Sequence, residues 1–112
     1  MDMVKIKRFD VFLVNLDPTI GSEIKKTRPA VIISPDSMNL SKLKTVIIAP
    51  MTSTIKDNFP TRVLIEFKDK KGQIALDQLR SIDRSRIVQK LGVIERETQN
   101  NILDLLSIIF QK

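Results

Sequence analysis

Ala30-Val31-Ile32-Ile33-Ser34 and Thr45-Val46-Ile47-Ile48-Ala49 are two short apolar runs bounded by proline: Pro29 and Pro35 flank the first, and Pro50 follows the second. Five residues are too few for a useful helix, and the β-branched content suits buried strands. Between the runs, Asp36 to Lys44 is polar, with room for one helical turn. On the N-terminal side, Phe9 to Leu16 is rich in β-branched and aromatic residues and stops at Asp17-Pro18, where proline cannot continue a ladder. Thr19 to Arg28 then carries Gly21, Ser22, Glu23, Lys25, Lys26 and Thr27, with only Ile20 and Ile24 apolar, and reads as a long exposed loop.

On the C-terminal side, Thr61 to Phe67 alternates in character, and Lys68-Asp69-Lys70-Lys71-Gly72 supplies a charged, solvated turn into Gln73 to Leu76, which predicts a hairpin. Further strands are expected near Gln78 to Ile82 and Ile87 to Leu91. From about Glu95 to Phe110, Ile102, Leu105, Leu106 and Ile109 recur at helical spacing, although no capping side chain at Ile94 fixes the start. The expected architecture is α+β, one domain over residues 1–112: a small curved antiparallel sheet or open barrel with a C-terminal helix. Leu103, Ile108 and Phe110 fall off the helix's main stripe. They predict a second apolar face packed on another subunit, with a deeply buried helix in a monomer as the alternative.

A chain of 112 residues with 42% hydrophobic content supports one core. Cysteine and histidine are both absent, which excludes disulfides, thiolate nucleophiles, the usual zinc sites and the commonest general base. Chemistry must come from carboxylates, hydroxyls, Lys and Arg. A formal charge of +6 favours a polyanionic partner such as nucleic acid. The start, Met1 to Arg8, turns charged before any long apolar run, so a cytoplasmic protein without a signal peptide or membrane span is expected.

Three polar clusters adjoin buried strands. In Gly21-Ser22-Glu23 through Thr27-Arg28-Pro29, the proline pushes Arg28 toward an extended backbone, so that its guanidinium can be aimed at a phosphate; a surface ion pair with Glu23 is the alternative. Pro50-Met51-Thr52-Ser53-Thr54 sets three hydroxyls just past a strand, where they either bind phosphate or simply make a turn. Asp77-Gln78-Leu79-Arg80-Ser81-Ile82-Asp83-Arg84-Ser85-Arg86 places Asp77, Leu79 and Ser81 on one strand face and Gln78, Arg80 and Ile82 on the other. An internal hydrogen-bonded network is the competing reading there, particularly for Arg80.

Taken in order, Phe9-Asp10-Val11, Asp17-Pro18-Thr19-Ile20-Gly21-Ser22-Glu23, Arg28-Pro29-Ala30-Val31-Ile32-Ile33-Ser34, Pro50-Met51-Thr52-Ser53, Pro60-Thr61-Arg62-Val63 and Gly72 to Asp83 resemble the MazF/PemK toxin family across the whole chain. The resemblance implies a homodimer of SH3-like barrels that acts as the toxin of a type II toxin–antitoxin system. Its implied activity is sequence-specific cleavage of single-stranded mRNA without metal or other cofactor: the ribose 2′-hydroxyl attacks its own phosphate, leaving a 2′,3′-cyclic phosphate and a 5′-hydroxyl. It further implies an acidic, MazE-like antitoxin that folds onto the basic groove and covers Arg28.

By the same resemblance Arg28 stabilises charge and donates a proton, Thr52 holds the phosphate or the attacking hydroxyl, and Glu23 supports them. Glu23 or Asp77 is left as the base, since an arginine guanidinium is scarcely ever neutral in a protein. Some relatives place an Arg two residues before the acid that matches Asp77, but Ala75 stands there. RNA contacts are expected from the Thr19 to Thr27 and Thr52 to Phe59 loops: Lys25, Lys26, Thr27, Ser53, Thr54 and Lys56, together with Asp77, Gln78 and Arg80. Phe59 either stacks on a base or belongs to the core beside Pro60. Two rival functions share such a barrel, a gyrase poison and a non-catalytic nucleic-acid binder; Arg28-Pro29 and Thr52-Ser53 argue against the first.

Overall fold

A computed structural model describes residues 5–112. The lead-in Met1 to Val4 lies outside the described residues. Seven strands run in the order β1 (Asp10–Asn15), β2 (Thr27–Ile32), β3 (Thr45–Thr52), β4 (Arg62–Phe67), β5 (Lys70–Ala75), β6 (Arg80–Asp83) and β7 (Ile87–Val93). A one-turn helix, α1 (Asp36–Asn39), links β2 to β3, and α2 (Arg96–Ile109) closes the chain. The strands pair antiparallel in the spatial order β4-β5-β3-β2-β1-β7, with β6 also on β3, giving a curled half-barrel with one main helix. The expected α+β class is the class observed.

The central strands are apolar on both faces because both faces are covered. Val11, Val31, Ile33, Ala49 and Ile74 point to one core, which α2 caps with Ile102 and, partly buried, Leu105, Leu106 and Ile109. Phe12, Val14, Ala30, Ile32, Val46 and Ile48 point to the other, which Ile6 and Ile82 complete. On the outer side of α2, Leu103, Ile108 and Phe110 stay exposed, the last by 72%.

The prolines were expected to end strands, and two of them instead lie inside. Pro29 pairs with Leu13 within β2, and Pro50 pairs with Ala30 within β3. Alternation along β2, anchored by the Phe9 N–H donating to the Ile32 carbonyl at 2.8 Å, turns the nitrogen of Pro29 toward the β3 side, where the β2–β3 ladder has already ended at Ala30. Pro50 turns its nitrogen away from β2, toward the edge where β3 changes partner: β6 pairs with Thr45 to Ile48, and β5 pairs with Met51 and Thr52. Neither proline deletes a ladder bond, so each is tolerated. A second correction concerns Asp77 and Gln78. They belong to a 3₁₀ turn, Leu76–Gln78, so two-residue alternation holds only from Arg80 onward.

The hairpin turn is also shorter than its charge run suggested. Only Lys68 and Asp69 connect β4 to β5, both in the left-handed region at φ +51° and +65°. This is the backbone of a mirror-image two-residue turn, which favours Asn-Gly. Replacing Lys68-Asp69 with Asn-Gly should stabilise the fold by about 1 kcal/mol, since left-handed backbone costs a residue such as Lys about that much and Asp, which tolerates it, less. Urea unfolding would register a higher midpoint at unchanged slope; an unchanged midpoint would mean that the turn carries no such strain.

Candidate functional site

The change of partner along β3 leaves a seam at Ala49-Pro50. A cleft of about 340 Å³ opens over it, floored by Pro50 and walled by Ser22 to Ile24 on one side and Asp77 to Arg80 on the other. The first wall belongs to the loop between β1 and β2. Its base is closed by the Leu16 N–H donating to the Lys26 carbonyl and the Lys26 N–H donating to Asp17 Oδ1, each at 3.0 Å. Arg80 Nη1 donates to the Leu16 carbonyl at 3.0 Å, and Arg86 Nη1 donates to the carbonyls of Asn15 and Asp17. Gln78 fastens the loop from the opposite wall, accepting from the Ile24 N–H at 2.7 Å and donating to the Ser22 carbonyl at 3.5 Å. Two candidate RNA contacts, Gln78 and Arg80, thus spend polar groups on the network that shapes the cleft.

Arg28 extends from β2 with its backbone opposite Val14, and its Nε donates to the Lys25 carbonyl at 2.8 Å. It forms no ion pair with Glu23, whose Oε1 instead accepts from the Ile20 N–H at 2.5 Å. Among the described residues the two terminal nitrogens of Arg28 donate to no protein acceptor. Such a guanidinium is held at its root and open at its fork, the geometry that suits a phosphate.

The β2–β3 register, Ala30↔Pro50, Val31↔Ala49 and Ile32↔Ile48, ends two residues short of Arg28 on β2 and of Thr52 on β3. Both side chains leave the sheet on the same face as Pro50, the cleft floor. Thr52 Oγ1 accepts from the Thr54 N–H at 3.1 Å, which orients the hydroxyl and leaves its proton to be donated elsewhere. Neither residue lines the cleft itself.

Asp77 has less freedom. Its carboxylate accepts from Arg62 through Nε at 2.8 Å and Nη2 at 3.3 Å, and from the Thr61 hydroxyl at 3.0 Å. Burial alone would raise its pKa, but the hydrogen bonds from Arg62, its own backbone and Thr61 outweigh burial and hold it below the ordinary carboxylate value. Its oxygens are thereby held against Arg62 and Thr61, whereas Glu23 is exposed at the opposite wall of the cleft. The Arg62 guanidinium also lies 5.1 Å from the centre of the Phe59 ring, which is 45% exposed, so Phe59 stands on the surface rather than in the core. Lys25, Lys26, Ser53, Thr54 and Lys56 lie exposed on the two loops, as does Thr27 at the start of β2. Lys26 has left-handed backbone, φ +72°.

Besides Thr61, Arg62 and Arg86, which hold Asp77 and the β1–β2 loop, two further residues beside Thr52 were not among the candidates. Gly72 runs so close to β3 that a Cβ there would lie 2.5 Å from the Thr52 carbonyl oxygen. Gln73 is buried at 3% exposure, and its amide bonds to both backbone groups of Lys56. The signal in the sequence was an amide at the head of an otherwise apolar run. No group of three or more metal-ligating side chains converges among the described residues, and no described helix is long and apolar enough to cross a membrane.

Fold and site define a single half-open antiparallel barrel with a polar, loop-walled cleft at the seam of its central strand. Residues 7–110 match the family model of PemK-like, MazF-like toxins of type II toxin–antitoxin systems, and the chain belongs to that family. Solved structures share the fold. The MazF toxin of Deinococcus radiodurans superposes with a TM-score of 0.83 at 22% identity, over 98% of this chain and 100% of that one. A MazE–MazF complex from the same organism gives 0.77 at 20% identity over 97% and 98%. A mycobacterial endoribonuclease in complex with its cognate antitoxin gives 0.75 at 21% identity, over 92% of each chain.

Proposed function

We propose that this toxin is a metal-independent endoribonuclease that cuts single-stranded mRNA at a short recognition sequence. The observation that carries this reading is Arg28: a guanidinium tethered by Nε to the Lys25 carbonyl, with its fork open on the sheet face that strand alternation also gives to Thr52. Cleavage by the neighbouring 2′-hydroxyl needs one proton removed, one delivered to the departing 5′-oxygen, and extra negative charge on phosphorus oxygens stabilised. Glu23 takes the first proton, Arg28 supplies the second and binds the charge, and Thr52 donates to a phosphate oxygen. The products are a 2′,3′-cyclic phosphate and a 5′-hydroxyl. Lys25, Lys26 and Lys56 meet flanking phosphates, with Thr27, Ser53, Thr54 and Arg80 as further contacts. Phe59 offers its outer face to a base, while Asp77 and Gln78, in the cleft wall, accept from base edges with the lone pairs that their internal hydrogen bonds leave.

The similarity to chains that bind an antitoxin supports a partner of the same kind here. With a net charge of +6, the basic loops suit an acidic, MazE-like segment that folds over Arg28 and blocks it. Exposed Leu103, Ile108 and Phe110 on α2 supply the apolar face for a homodimer. The chain acts in the cytoplasm, where its mRNA substrate is.

The deciding experiment incubates the purified protein with long single-stranded RNAs in EDTA and maps the new ends. Discrete cuts bearing 5′-hydroxyls are expected. Intact RNA across several unrelated transcripts would overturn the reading, in favour of a gyrase poison if gyrase is inhibited, or of a binding module if RNA is retained in a salt-sensitive manner.

A further inference from the structure

The loop that follows Thr52 is fastened to the barrel by one buried amide. Gln73 Oε1 accepts from the Lys56 N–H at 3.1 Å, and Gln73 Nε2 donates to the Lys56 carbonyl at 3.2 Å, so both polar ends are spent on a single loop residue. The backbone of Gln73 sits opposite Thr52 in the β3–β5 ladder. One residue therefore brackets the segment from Thr52 to Lys56 at both ends, by its main chain and by its side chain. An amide buried to 3% exposure carries a desolvation cost that an apolar side chain would not, and its neighbours in the strand, Ile74 and Ala75, are apolar. What the amide adds is a fixed position for Lys56.

We propose that Gln73 is a positioning residue for substrate, resting on the RNA-cleaving reading above. It sets the loop so that the ammonium of Lys56 and the ring of Phe59 are presented to the RNA strand already arranged, and the loop need not be ordered when substrate binds. The far end of the same loop is held independently, by Arg62 against Phe59 and by the Thr61 hydroxyl on Asp77. Thr52 itself is placed by ladder pairing, which does not involve the Gln73 side chain. Gln73 thus acts on binding and leaves the chemical step alone.

Gln73→Met keeps the volume and removes both hydrogen bonds. Two readouts apply: amide hydrogen exchange at Lys56, which needs no RNA, and steady-state cleavage of a short RNA containing the mapped site. The expected result is exchange at least about tenfold faster, with KM raised about tenfold and kcat within about twofold of wild type. Faster exchange with unchanged KM would overturn the proposal, and so would a fall in kcat at constant KM. If Gln73→Met unfolds, Lys56→Pro compared with Lys56→Ala asks the same question from the surface. Both lose the charge and only proline loses the N–H, so equal KM values for the two overturn the proposal and a higher KM for proline supports it. A wild-type protein that leaves every RNA intact would refute the cleavage reading, whereas unchanged Lys56 exchange in Gln73→Met would refute the tether.

Discussion

Arg28→Ala should lower the rate of RNA cleavage by about 10²–10³-fold, the usual loss when one preorganised donor to a developing oxyanion is deleted. The fold should survive, because Arg28 is only half-buried and its one side-chain hydrogen bond among the described residues is to the Lys25 carbonyl within an exposed loop. Single-turnover cleavage and a thermal melt, run on the same preparation, separate the two effects. Arg28→Lys keeps the charge but loses the planar fork and the Nε tether, and should recover little activity. Near wild-type cleavage by Arg28→Ala would move the charge-stabilising role to another cation of the two loops and would remove the main support for the proposed site.

Gly72→Ala is the larger effect on stability. The added Cβ would sit 2.5 Å from the Thr52 carbonyl oxygen and 3.4 Å from its carbon, and both are main-chain atoms that cannot rotate out of the way. Relief requires β3 and β5 to separate where only two residue pairs hold them, Met51↔Ile74 and Thr52↔Gln73. The expected loss is about 1–3 kcal/mol in urea unfolding, as for other forced overpacking. Because the atom displaced is on Thr52, cleavage should fall in molecules that remain folded. Wild-type stability and activity together would show that the backbone position of Thr52 is not a requirement for either.

The two apolar runs at Ala30 and Thr45 gave the sheet away, and the helical spacing of Ile102, Leu105, Leu106 and Ile109 gave away α2. What could not be read there depended on which strand lies beside which. Pro50 marks a strand end when only its own neighbours are considered; its place inside β3 makes sense once β6 and β5 are seen to divide that edge. Asp77 and Gln78 followed a two-residue period on paper, and the 3₁₀ turn that breaks it exists because the chain must leave β5 and rejoin β3 on the other side of the seam. Arg28 and Thr52 were legible through motif resemblance, but their place on one sheet face was not, since it follows from a register. Gln73 was missed because burial, not residue type, gives its amide a meaning.

The way the loops are attached bears on how such a protein diversifies. Two loops, one walling the cleft and one following Thr52, are each fastened by a glutamine side chain, Gln78 to Ile24 and Gln73 to Lys56, in addition to any backbone bonds at their bases. A change of sequence at the tip of either loop therefore leaves strand pairing as it was, provided the side-chain bonds at the loop's base and the glutamine's bond to its backbone amide are kept. On the proposed function, the residues that would meet RNA then lie mostly on loops that can be changed without altering the order of the strands.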